Sequence, residues 1–222
     1  ALAVSVKPDD AKLWSILAEA QLRNNWLKKA KFSLEKAKQL NPKNPQLWFA
    51  DAALELQQKN PKKTIKLAEK GLKFDPKNAI AFFYIGNARL MQKDYSLAIQ
   101  AFDKAFKLKP SFWEANNNKA IVLFEMDKTQ EAIKTWREVL RIKINAEPML
   151  ALAAGLNKNK PGDVEALELA SKALAKNPNY VSVGHQKEQL WGIKLRQATA
   201  LLLNHPELKK AVAQAEATSQ NN

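Results

Sequence analysis

Residues 79–112 read AIAFFYIGNARLMQKDYSLAIQAFDKAFKLKPSF. Two apolar-periodic stretches of helical length lie in this segment. Phe82, Ile85, Ala88 and Arg89 share one face of the first. In the second, Ala98, Ile99, Phe102, Ala105 and Phe106 recur at spacings of three and four. Asp94 precedes the second stretch as a candidate N-cap, and Pro110 ends it, because proline cannot continue a helix. Gly86 and Ala98 are small, which lets the two helices approach closely. The segment therefore reads as one helix-turn-helix unit.

The unit recurs along the chain. Pro8, Pro42, Pro76, Pro110 and Pro178 fall at steps of 34, with one step skipped at Ile144. Small residues align at Ala18, Ala52, Gly86, Ala120 and Ala154, and again at Ala30, Thr64, Ala98, Ala132 and Ala166. Large apolar residues align at Trp14, Trp48, Phe82 and Leu150, with Asn116 as the exception. Asn60 is a second candidate N-cap. One helix pair cannot bury its own apolar face, so the copies must stack.

This pattern resembles the tetratricopeptide repeat (TPR), with Phe82, Ile85-Gly86, Tyr95, Ala98, Phe102, Ala105 and Pro110 as the copy most similar to it. The resemblance implies an all-α fold, a right-handed superhelical solenoid of helix-turn-helix repeats with a C-terminal capping helix. Five copies frame at 11–44, 45–78, 79–112, 113–146 and 147–180. Residues 1–10 read as the tail of a preceding repeat. Gln21, Glu55, Arg89, Leu123 and Asn157 stand where the repeat usually has Tyr, and Asp51 and Lys119 where it usually has Leu. Asn157 to Gly162 suggests that the first helix of the fifth copy ends early. Capping helices are expected over 181–217. The first is one long helix, 182–203, with Trp191, Leu195, Ala198 and Leu202 on one face; His205-Pro206 breaks it, and a helix over roughly 207–217 follows. Residues 218–222 are expected to be loose. Glu188-Gln189-Leu190-Trp191-Gly192 is similar to tails of TPR proteins from cyanobacteria and chloroplasts, some of which assist complex assembly.

The chemistry of the 222 residues is sparse. There is no Cys and only 2 His, which excludes thiol catalysis, disulfides and a His-rich metal site. No Gly-rich phosphate loop occurs, and His185 and His205 have no Ser or Asp partner at meaningful spacing. No enzyme, cofactor or metal is expected. Lys+Arg is 36 against Asp+Glu at 22, a net charge of +14.

The TPR resemblance implies that positions two, five, six, nine, twelve and thirteen of each copy line a concave groove. An apolar strip results: Phe49, Phe83, Tyr84, Leu90, Met91, Ile121 and Phe124, with Asn87, Asn117 and Asn118 among it. It suits an amphipathic helix or extended peptide of a protein partner. The alternative is that Phe49, Phe83 and Phe124 pack against neighbouring helices. A TPR subfamily clamps the C-terminal carboxylate of chaperone tails with Lys, Asn and Arg. Asn87 and Asn118 fit its two Asn positions, but Phe83, Pro148 and Leu152 replace its cations, so a carboxylate clamp is not expected. The lysines fall mostly on second helices. They could meet an anionic membrane surface or an acidic protein; a further alternative is that the chain is a regulatory domain of a larger enzyme. Nucleic acid is disfavoured, because exposed aromatics interleaved with the lysines are not foreseen.

Overall fold

The computed structural model describes residues 2–219. Helices are α1 (Leu2–Val6), α2 (Ala11–Arg23), α3 (Leu27–Leu40), α4 (Pro45–Gln57), α5 (Pro61–Leu72), α6 (Ala79–Met91) and α7 (Tyr95–Leu108). They continue with α8 (Trp113–Glu125), α9 (Thr129–Ile142), α10 (Ala146–Asn159), α11 (Val164–Lys176), α12 (Val183–Glu188), α13 (Ile193–Leu203) and α14 (Lys209–Ser219). Short 3-10 turns occupy Pro178–Val181 and Pro206–Leu208. No strand occurs among the described residues. The chain divides into two compact units, 1–108 and 109–222.

Within each unit the helices pair as the periodicity requires: α2 with α3, α4 with α5, α6 with α7, then α8 with α9 and α10 with α11. First helices start at caps one repeat apart. Asp10 accepts from Lys12 N at 2.8 Å, Asn44 from Gln46 N at 3.1 Å and Asn78 from Ala81 N at 3.0 Å. Asn60 does not cap by its side chain, contrary to expectation; its Nδ2 donates to Glu55 at 2.8 Å. Asp94 accepts from Arg89 at 3.1 Å.

The turn inside each of the first four repeats places one residue in the left-handed region: Asn25, Lys59, Lys93 and Asp127, all with φ of 57–63°. Each is followed by an amide that bonds back to the carbonyl five residues earlier, as Asp94 N does to Arg89 O at 2.9 Å. Two repeat joints carry a second periodic bond. The Trp14 indole donates to Pro8 O at 2.7 Å, and Trp48 donates to Pro42 O at 2.8 Å. The aromatic that opens a repeat is thus tied to the proline that closes the one before.

In the N-terminal unit the core runs through the repeat joints. Ala18, Leu34, Ala37, Leu47 and Leu54 form one cluster, and Phe49, Ala52, Ala68 and Ala81 form the next. Gly71 and Gly86 admit rings: a Cβ there would lie 2.3 Å from Phe49 and 2.4 Å from Phe102. In the C-terminal unit Phe124 meets Trp136 at 5.8 Å between centroids, both fully buried.

Two expectations about the end of the chain are corrected. The long helix 182–203 is broken into α12 and α13. Leu190 adopts φ 62°, Trp191 N closes the turn on Gln186 O at 3.0 Å, and Gly192 leads into α13. The first helix of the fifth repeat does not end early. It runs to Asn159, and Asn157 Oδ1 accepts from Gly162 N at 2.9 Å to hold the turn. The helix expected over 207–217 is α14, which begins after the 3-10 turn and packs on α11 and on Pro178–Val181, covering that end of the repeats. Of the tail expected to be loose, Thr218 and Ser219 are helical and 220–222 lie outside the described residues.

Candidate functional site

Helices α2, α4 and α6 turn one face away from their second-helix partners. Ile16 and Ile80 are 53% and 44% exposed there. Ala50, Ala53, Leu56, Phe83, Tyr84 and Met91 are partly exposed beside them. Phe83 packs its ring on Phe102 at 6.0 Å and beside Tyr84 at 6.3 Å, so its position is set from beneath. Burial raises the Tyr84 hydroxyl above its ordinary pKa, which keeps it a neutral donor. Three residues expected on this surface are not presented by it. Phe49 is buried with its ring on Gly71, and Asn87 and Leu90 are buried too. Ile16 and Ile80 were not singled out by the apolar strip, although the groove positions include both.

The C-terminal unit treats the same register differently. Asn117, Asn118, Ile121, Phe124 and Glu125 are buried, as are Pro148, Ala151, Leu152 and Gly155. Helix α13 lies against α8 and α10, Phe124 packs on Trp136 of α9, and Asn117 hydrogen-bonds to Glu147 of α10. The expectation that Asn117, Asn118, Ile121 and Phe124 line an open groove is therefore corrected: the chain's own helix lies over this face. Glu125 fixes its start. The carboxylate accepts from Lys194 N at 3.2 Å and Leu195 N at 2.9 Å, satisfying amides that a helix N-terminus leaves free. Gly192 makes room, since a Cβ there would lie 2.1 Å from Glu125 Cδ. Lys194 also pairs with Asp127, which Lys158 approaches at 3.6 Å; these cations hold Asp127 below the usual carboxylate range.

Glu147 anchors the segment that leads into α13. It accepts from Trp191 Nε1 at 3.0 Å, and Asn117 and Tyr180 also hydrogen-bond to it. Burial pushes its carboxyl up to about 7, against the pull of those donors. Burial also raises the Tyr180 hydroxyl, and Glu147 adds to the shift.

The outer helices carry the charge, as expected, but not in the form expected. Trp26 and Phe32 are each 54% exposed, with Lys29 Nζ 4.7 Å from one ring centroid and Lys36 Nζ 5.8 Å from the other. Exposed aromatics do interleave with the lysines of α3, so that ground for disfavouring nucleic acid falls. No cluster of His, Asp and Glu suited to a metal ion occurs among the described residues. Among the described residues no helix is long and apolar enough to cross a membrane.

Residues 11–44 and 79–112 each match a family profile described as tetratricopeptide repeat. These bounds coincide with the first and third frames read from the proline spacing. No curated protein matches the sequence. Among solved structures the chain is similar to YrrB, described as a TPR protein with an unusual peptide-binding site. That match has 20% identity over 84% of this chain and 96% of the other, with a TM-score of 0.61. PilF of Pseudomonas aeruginosa matches at 22% identity, over 92% and 97% of the two chains, with a TM-score of 0.66. MamA of Desulfovibrio magneticus RS-1 matches at 17%, over 74% and 93%, with a TM-score of 0.65. At such identities the likeness concerns the fold. The proline period, the left-handed turns one repeat apart, the paired helices and the two matched segments agree, and the chain is a tetratricopeptide-repeat protein.

Proposed function

We propose that the chain is a non-enzymatic protein-interaction scaffold. Its ligand-facing surface is the first-helix face of the N-terminal unit, and its ligand is a peptide or amphipathic helix of a partner protein. One observation carries this reading. In the C-terminal unit the equivalent face holds a helix, α13, while in the N-terminal unit Ile16, Ile80, Phe83, Tyr84 and Met91 keep part of that face open. A surface of the same register in the same chain thus accommodates helical ligands, and apolar anchors at i, i+3 and i+4 would fit its exposed isoleucines and aromatics. The peptide-binding site for which YrrB is described supports the same reading by analogy of fold.

The test is a screen of immobilised peptides with the full chain beside an Ile16→Glu/Ile80→Glu variant. Both should show the same helical circular dichroism, since both sites are exposed. Bound peptides that the variant loses by at least tenfold support the reading. Peptides that both proteins bind alike, or a chain that binds none, overturn it.

A further inference from the structure

Two of the three second helices of the N-terminal unit, α3 and α5, begin with the wrong charge. α3 has Lys28 and Lys29 in its first turn and α5 has Lys62 and Lys63, with no acidic residue in either first turn. A helix N-terminus carries partial positive charge, so lysines there are unfavourable for the fold. In the C-terminal unit the corresponding turns of α9 and α11 hold Glu131 and Glu165, the favourable sign. The contrast is one of position and not only of total charge, although 20 cations against 10 anions up to Leu108 give +10 of the chain's +14.

The lysines are in register. Lys28 and Lys62, Lys29 and Lys63, and Phe32 and Lys66 are each separated by 34, so they take equivalent places on neighbouring outer helices. All are exposed. Neighbouring lysines are otherwise engaged. Lys31 and Lys38 pair with Glu55 and Asp51. Lys36, Lys70 and Lys104 sit over aromatic rings. Lys28, Lys62 and Lys66 make no ion pair among the described residues. Exposed apolar groups share the row: Trp26 and Phe32 at 54%, and Leu97 at 43%, which takes in α7 the place of Lys29 and Lys63. One turn beyond it, Glu35, Glu69 and Asp103 form an acidic row at the same spacing of 34.

We propose that this edge docks the protein on an anionic lipid surface, with lysines at headgroup phosphates and carboxylates and Trp26, Phe32 and Leu97 entering the interface. Lysine supplies the point charges that such a surface attracts, and Trp belongs at its boundary. Leu97 has no counterpart in base stacking. The arginines that favour planar, bidentate recognition of nucleic acid are absent from the lysine row: Arg23 pairs with Glu19 and Arg89 with Asp94. The proposal is independent of what the first-helix face binds.

The experiment is sedimentation of the full chain with phosphatidylcholine vesicles, with and without one quarter phosphatidylserine, at 0.1 M salt. Co-sedimentation is expected only with the anionic vesicles. Each lysine near the surface is worth about fivefold in partitioning, so Lys28→Glu/Lys29→Glu/Lys62→Glu/Lys63→Glu should lose more than a hundredfold. A control of equal charge, Lys134→Glu/Lys143→Glu/Lys176→Glu/Lys187→Glu, should lose less than tenfold. The first variant should melt no lower than the parent, because it removes like charge from two helix starts. If it unfolds, the four Gln substitutions replace it, with the same control made in Gln. Trp26→Ala/Phe32→Ala should weaken binding several-fold. Equal losses in the two quadruple variants, equal binding to neutral vesicles, or no binding at all overturns the proposal. Displacement from vesicles by a short single-stranded oligonucleotide also overturns it, in favour of nucleic acid.

Discussion

At the residue scale, four of the five positions where this chain lacks the usual Tyr of its repeat have become polar links, Leu123 being the exception. Of the five residues in place of the usual Tyr, Gln21 accepts from Ser33 at 2.8 Å, Glu55 binds Lys31 and Asn60, Arg89 binds Asp94, and Asn157 holds Gly162 N. Burial disfavours a charged Glu55, but its donors outweigh that and hold the carboxyl below its ordinary pKa. Glu147 shows the opposite balance. Its pKa of about 7 in the folded chain exceeds the ordinary 4.5, so the folded state binds more protons between those values. Its contribution to stability is then full below about pH 4.5 and lost as pH rises through 7. The loss is at most ~3 kcal/mol by linkage. Glu147→Gln keeps an acceptor for Trp191 and removes the titration. Urea unfolding at pH 5 and pH 8 should show a smaller fall in stability for the variant than for the parent, and a variant stabler than the parent at pH 8.

At the scale of elements, α13 is the decisive one. Its start is built from three parts: Glu125 on α8, the free amides of Lys194 and Leu195, and the missing side chain of Gly192. Gly192→Ala drives a methyl into the Glu125 carboxylate. The expected cost is about 1–3 kcal/mol, from overpacking and loss of the cap. Amide hydrogen exchange should rise in α13 and along α8 and α10, while α2–α6 keep their protection. If exchange rises equally throughout the chain, α13 is not a locally docked element. The helix was legible in sequence by its period, but its break was not. Leu190 takes a left-handed conformation without being glycine, and a leucine gives no sign of that. The same holds for the turns at Lys59 and Lys93.

At the scale of the molecule, charge is unevenly held. Residues up to Leu108 carry +10, and the remainder, with 16 cations against 12 anions, carries +4. Like charges packed at that density oppose folding, and salt screens them over about 10 Å at 0.1 M. Raising salt from 0.05 to 0.5 M should therefore stabilise the N-terminal unit more than the C-terminal one. Residue-resolved hydrogen exchange would read this; equal protection gains, or larger gains in α8–α11, would refute it.

Much of this was open to reading from the chain alone. Proline spacing, small residues at crossings and apolar periodicity determined the helix pairs and their period, because each is a local property repeated in register. What a helix covers is not local. Phe49, Leu90, Ile121 and Phe124 have the spacing of groove residues, yet all are buried, Phe49 on Gly71 and Phe124 on Trp136. Exposure at Trp26, Phe32, Ile16 and Ile80 likewise depends on which segments return to lie over them. Only the tertiary structure decided which face stays open, since burial is settled by contacts between residues as distant in sequence as Glu125 and Leu195.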